Sequence, residues 1–218
     1  MQRNRMANVF LIIGLAALGT SAVCAQVRTT VRTAGRTDIG VNLYGAFSGA
    51  TNGNGVQQSP SNAAGGMLEL RYIKNPIVGF EGTYSFNHAD QTYNAVAVAC
   101  PAGTSNCTPI PAAVKANAHE VAGAWVPSVA IANLRPFAVL GGGLVFDVPS
   151  SGQASTSTTT KAVFVYGAGL DWGLLPHLGL RFQYRGNLYS APDVTKLYTS
   201  TGVFTHTAEP MIGAYFRF

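Results

Sequence analysis

Between residues 38 and 218, apolar side chains recur at every second position in a series of short runs. In "DIGVNLYGAFS" (38–48), Ile39, Val41, Leu43 and Phe47 share one face, and Asp38, Asn42 and Tyr44 take the other. "GMLELRYI" (66–73) sets Leu68, Leu70 and Tyr72 against Met67, Glu69 and Arg71. "IVGFEGTYSFN" (77–87) sets Val78, Phe80, Tyr84 and Phe86 against Glu81, Thr83, Ser85 and Asn87. Further along, Val121, Gly123 and Trp125 lie opposite Glu120, and Leu140, Leu144 and Phe146 form one face of a run whose register the three glycines at 141–143 leave open. Phe164, Tyr166, Ala168, Leu170 and Trp172 then oppose Asp171, and Leu178, Leu180, Phe182 and Tyr184 oppose Arg181, Gln183 and Arg185. The last run, "MIGAYFRF" (211–218), carries Ile212, Ala214, Phe216 and Phe218 on alternate positions. A period of two is the signature of a strand with one buried or lipid-facing side, and no helical period of comparable length competes with it after residue 38.

The connections sharpen this into a topology. Long polar segments follow the first, third, fifth and seventh runs: 49–65, 88–115, 149–161 and 187–207. Short links such as "KNP" and "LLPH" follow the second and sixth, and "SVAIANLRP" follows the fourth. Proline fixes its own backbone and biases the preceding residue away from helix, so these links read as turns. Eight strands with alternating long and short connections predict an all-β, antiparallel, up-and-down barrel closed by its first and last strands.

Alternation alone does not say which face points inward. The apolar faces contain no Asp, Glu, Lys or Arg, whereas the opposite faces carry Glu69, Arg71, Glu81, Glu120, Asp171, Arg181, Arg185, Glu209 and Arg217 among Gly, Ala, Ser and Thr. Charged residues make up only 11% of the chain, against roughly 25% for an ordinary soluble domain. A water-facing exterior needs more charge than that. The sparse charges of both signs suit a narrow lumen, which eight strands leave just wide enough for side chains to fill, and in which buried ions must pair. The apolar face then meets lipid, and Tyr72, Trp125, Trp172, Tyr184 and Phe218 are expected near strand ends as interfacial aromatics.

The N-terminus changes the compartment. Arg3 and Arg5 precede an apolar run from Val9 to Leu18 that is too short to span a bilayer, and small or aliphatic residues lead to Ala25. This predicts a secretory signal over 1–25 with cleavage after Ala25, a leader over 26–37, and the barrel over 38–218. An alternative acylation at Cys24 is weakened by Val23 just before it. Removal of Arg3 and Arg5 lowers the net charge from +5 to +3, and no basic patch is interleaved with aromatics, so nucleic acid is not an expected partner. Cys100 and Cys107, in "ACPAGTSNC", are expected to form a local disulfide in the second long loop.

The terminal "MIGAYFRF", ending on Phe218 with Ile212, Ala214 and Phe216 alternating upstream, resembles the C-terminal signal of bacterial outer-membrane barrels. Over about residues 38–218 the chain resembles the OmpA-like/OmpX-like eight-stranded outer-membrane barrels. That resemblance implies location in the outer membrane of a Gram-negative-type bacterium. It also implies contact with outer-membrane lipid and lipopolysaccharide, and recognition of the last strand by the barrel assembly machinery.

Candidate chemistry is thin. Lipid A deacylases of similar build use a His two residues before a Ser, but His88, His119, His177 and His206 are followed there by Asp90, Val121, Gly179 and Ala208. The glycines at 141–143 and 167–169 precede no helix and so do not form a phosphate loop. No catalytic, metal or cofactor residues are assigned. Glu69, Arg71, Glu81, Glu120, Asp171, Arg181 and Arg185 are expected to form a lumen charge network. The expected role is structural or surface-interacting, with an extracellular ligand met through the loops. A lipid A-modifying enzyme and a narrow OmpW-like, porin-like pore are the alternatives.

Overall fold

The computed structural model describes residues 35–95, 112–150, 156–198 and 200–218. Their strands are β1 (Arg36–Ser48), β2 (Thr51–Gly53), β3 (Val56–Pro60), β4 (Ala63–Ile73), β5 (Gly79–Ala95), β6 (Ala112–Trp125), β7 (Leu134–Pro149), β8 (Thr159–Gly173), β9 (Leu178–Ser190) and β10 (Phe204–Arg217). Eight of them pair antiparallel in the cyclic order β1-β4-β5-β6-β7-β8-β9-β10. The ring closes where β10 meets β1, from Asp38 opposite Arg217 to Ser48 opposite Thr207. Phe218 extends the seam by donating its N–H to the Thr37 carbonyl at 3.0 Å. Closure leaves no open edge, which is what lets a sheet sit in hydrocarbon.

Burial alternates along every wall, inside out relative to a soluble domain. Leu43 is 68% exposed on the outer surface while Arg71, Arg181 and Arg185 inside are 0% exposed. Three short turns lie at the end of the barrel that carries both strand termini. In the first, Asn75 Oδ1 accepts the Ile77 and Val78 N–H groups at 2.9 and 2.7 Å, so an Asx turn reverses the chain ahead of β5. Short turns mark the periplasmic end of such barrels and long loops the extracellular end.

Several elements depart from the expected boundaries. Arg36 and Thr37, assigned to the leader, begin β1. The second long loop was expected from residue 88, but β5 continues to Ala95 and β6 starts at Ala112. At 17 residues, β5 is longer than the ~9–11 that cross hydrocarbon, so its upper part stands beyond the lipid. The first loop contains the hairpin β2–β3, turned by Asn54 and Gly55 at φ 51° and 73°. Both central residues with positive φ make a type I′-like reversal, which Asn-Gly favours. Strand β3 pairs with the upper half of β5, above the stretch of β5 held by β4. Tyr184, expected near a strand end, sits mid-wall opposite Pro210 and Ala168, because β9 runs on to Ser190.

Candidate functional site: the sealed lumen and its two mouths

Cross-strand register assembles the lower lumen. Arg71 lies opposite Asp38 on β1 and Glu81 on β5, and Asp171 on β8 lies opposite Arg181 on β9. Arg71 donates to Glu81 Oε2 from Nε at 3.0 Å and from Nη2 at 2.7 Å, and its Nε is 2.9 Å from Glu69 Oε1. Arg181 forms a two-pronged pair with Asp171 at 2.7 and 2.9 Å and also contacts Glu69. Below them Arg36 grips Asp38 through Nε and Nη2 and reaches Asp171 at 3.4 Å. The Phe137 ring lies under the Arg71 guanidinium at 4.1 Å, and Tyr215 faces Arg181 at 5.0 Å. Fork-shaped charge-assisted bonds fix geometry as well as charge, and ring faces hold the remaining guanidinium surface. This is a crosslink between opposite walls.

One layer higher, Arg185 contacts Glu120 and donates to Thr83 Oγ1 and Asn187 Oδ1, each at 3.2 Å. Asn187 Nδ2 donates to Glu120 Oε2 at 2.9 Å. Above this layer is a small cavity of about 30 Å³, into which Glu120, Asp147 and Glu209 project. Its volume suits one or two waters. Asp147 Oδ2 and Glu209 Oε2 are buried there without a hydrogen-bond partner. On the β7–β8 side the lumen is apolar instead, with Ala122, Val126, Phe137, Val139, Val163 and Val165 forming one buried cluster.

The segment after β9 closes the top. Val194 is wholly buried against Val56, Tyr93 and Val114. Tyr93 Oη donates to the Pro192 carbonyl at 2.9 Å, Thr159 Oγ1 donates to the Asp193 carbonyl at 2.6 Å, and Ser157 N–H donates to the Val194 carbonyl at 3.1 Å. Burial pushes the Tyr93 phenol above its usual range, so it remains a neutral donor. Hairpin β2–β3 ties in through Asn54 Nδ2 to the Ser200 carbonyl at 2.8 Å and Thr51 against Thr201.

The residues singled out from sequence fall into four places. Glu69, Arg71, Glu81, Glu120, Asp171, Arg181 and Arg185 all point into the lumen, but in two layers rather than one network, with Asp38, Arg36, Asp147 and Glu209 joining them. Ile212, Ala214 and Phe216 lie on the outer surface opposite Leu43, Val41 and Ile39 of β1. The pair Cys100 and Cys107 lies outside the described residues. The histidines are scattered: His88, His119 and His206 face outward near the extracellular rim. There, Tyr84 Oη and His119 Nδ1 are 2.9 Å apart, as are Tyr166 Oη and His206 Nε2. His177 sits in the third short turn against the Arg217 carbonyl. Among the described residues no group of His, Cys, Asp or Glu is arranged to hold a metal ion.

Residues 13–208 match the family model described as "Outer membrane protein beta-barrel domain". Among solved structures, similarity extends to neisserial surface protein A (12% identity, TM-score 0.54, covering 84% of this chain and 97% of that one). It extends to OprG of Pseudomonas aeruginosa (12%, 0.54, 85% and 97%). It also extends to Ail, the attachment invasion locus protein of Yersinia pestis, crystallised with the heparin analogue sucrose octasulfate (17%, 0.51, 84% and 99%). At these identities the likeness is one of fold. No curated protein sequence matches the chain.

Proposed function

The chain belongs to the outer membrane protein beta-barrel domain family, and we propose that within it this protein is a sealed, non-enzymatic scaffold that presents its extracellular loops to surface partners. Its location is the bacterial outer membrane. The observation that carries the reading is the double closure of the lumen. Two layers of buried ion pairs cross the barrel below, and Val194 and its neighbours cap it above. An eight-stranded barrel packed this way has no aqueous path, so transport is not its task. What remains available is the rim, raised beyond the lipid by long strands such as β5, and loops on a rigid scaffold commonly carry binding.

The partner is an extracellular molecule met by the loops, one of which, 96–111, would be stapled by Cys100–Cys107. Ail was crystallised with a polysulfated ligand, but the described extracellular end here balances Lys115, Lys161 and Lys196 with Asp90, Asp147 and Asp193. It offers no basic patch for a sulfated chain. Residues 1–25 act as a cleaved signal, and the last strand, with Phe218, serves recognition by the barrel assembly machinery. Cells displaying the full protein should adhere to a host-derived surface more strongly than cells displaying a version lacking residues 97–110. Equal adhesion at equal surface level would overturn the loop assignment. Lipid A from expressing and non-expressing cells should give the same mass spectrum, and a new acyl pattern would make the protein an enzyme.

A further inference from the structure

The periplasmic mouth holds a second cavity, of about 340 Å³, whose wall includes Arg36, Arg135, Arg217, Tyr215, Leu174 and Leu175. That volume is in the range of small-molecule pockets. Arg36 is committed to Asp38 and Asp171. The other two cations are not: among the described residues no carboxylate lies within ion-pair distance of Arg135 or Arg217. Arg135 spends one donor on Ser128 Oγ at 3.2 Å and Arg217 one on Tyr215 Oη at 3.3 Å. Arg217 Nε is buried with no acceptor at all. A guanidinium carries five N–H donors in a rigid fork, so most of the donor capacity at this mouth is unspent.

Arg135 is repelled by Arg36 and Arg217 and attracted by Asp171, its cross-strand neighbour, and by Asp38, neither close enough to form an ion pair with it. Arg36, Arg181 and Arg217 all gather around the Tyr215 ring, at 5.1, 5.0 and 5.9 Å, which holds their planes in place without neutralising them. Leu174 and Leu175 are 46% and 61% exposed on the lip, although they sit in a turn. Two guanidiniums with unspent donors and no carboxylate in direct contact, beside an apolar lip, match an oxyanion with an organic body.

We propose that the periplasmic mouth binds a phosphate ester, with Arg135 and Arg217 as its direct ligands, Arg36 completing the positive rim and Leu174 and Leu175 covering the organic part. The ester could be supplied by a soluble periplasmic metabolite or by the headgroup of an inner-leaflet phospholipid. The site is independent of what the extracellular loops bind.

The test uses the whole protein folded in a sugar-headed, phosphate-free detergent, its fold checked by the heat-dependent gel shift. Saturable binding in calorimetry is expected of glycerol phosphate where the ester is soluble, and of phosphatidylglycerol vesicles where it is a lipid headgroup. The double variant Arg135→Gln/Arg217→Gln should weaken binding at least about tenfold, the loss expected for two charge-assisted contacts, while Lys74→Gln at another turn leaves it unchanged. A readout on unmutated protein stands beside this. An arginine-specific dicarbonyl reagent, mapped by mass spectrometry, should modify Arg135 and Arg217 more slowly when the site is filled. Protection by dissolved glycerol phosphate identifies a soluble ester. Protection only in phosphatidylglycerol vesicles, and not in uncharged glycolipid vesicles, identifies a lipid headgroup. No protection in either, or equal affinity in the double variant, overturns the proposal.

Discussion

Replacing Arg181 with Met removes one cation from a set that cannot spare it. In the lower lumen Arg36, Arg71 and Arg181 face Asp38, Glu69, Glu81 and Asp171, all buried. Without Arg181, the two-pronged bond to Asp171 and the contact to Glu69 disappear, and two cations face four carboxylates. Met preserves length and apolar bulk, so the loss is electrostatic rather than a void. Removing one partner of a buried pair destabilises by about 3–5 kcal/mol, because the remaining charge stays out of water. With a urea slope near 2 kcal/mol per M, the unfolding midpoint should fall by about 2 M. Trp125 and Trp172, both on the outer surface at the periplasmic rim, give a fluorescence signal for urea titration of the barrel in vesicles. Removing the partner as well, in Arg181→Met/Asp171→Leu, should recover at least half of the loss. A single variant within about 0.5 kcal/mol of the wild type would refute the claim that this layer ties the walls together.

Other consequences follow from single contacts. Glu209→Gln should leave the unfolding free energy from urea titration unchanged or raise it by up to about 1 kcal/mol, since Oε2 has no partner; a loss above about 2 kcal/mol would show that the carboxylate is needed. Gly143→Ala should abolish the heat-shifted band, because a Cβ there collides with the Val121 carbonyl and with Ala122, whereas Gly82→Ala, with open space around it, should fold normally. Equal behaviour of the two would contradict the β6–β7 register. Tyr93→Phe should speed hydrogen exchange at the Val194 amide about fivefold, the ~1 kcal/mol worth of a hydrogen bond, and unchanged exchange would remove Tyr93 from the cap.

The walls were legible because lipid and lumen impose opposite demands on alternate residues. Leu68, Leu70 and Tyr72 against Glu69 and Arg71 need no further information to assign faces. The contrast fades above the lipid, where Thr92, Ala113 and Ala116 face water or a polar lumen, and so the extensions of β5 and β6 read as loop. The Asn54-Gly55 turn was a usable signal, but its flanking residues Thr51, Gln57 and Gln58 are polar and masked the hairpin. The cap depends on contacts between Tyr93 and Pro192, far apart in sequence, which no local pattern encodes. Arg36 was assigned to the leader because it follows a polar stretch, although its partners Asp38 and Asp171 are set by closure of the ring. The cavity around Asp147 and the three-arginine mouth likewise arise only when β1, β7 and β10 come together around the lumen.

The central claim is that the lumen is shut at both ends, and conductance across a planar bilayer tests it most directly. Protein that shows the heat-dependent gel shift should insert without producing discrete channel steps in either potassium chloride or sodium gluconate. Stable, ohmic channel openings from the same folded material would contradict the sealed scaffold and make the ion-pair layers a gate.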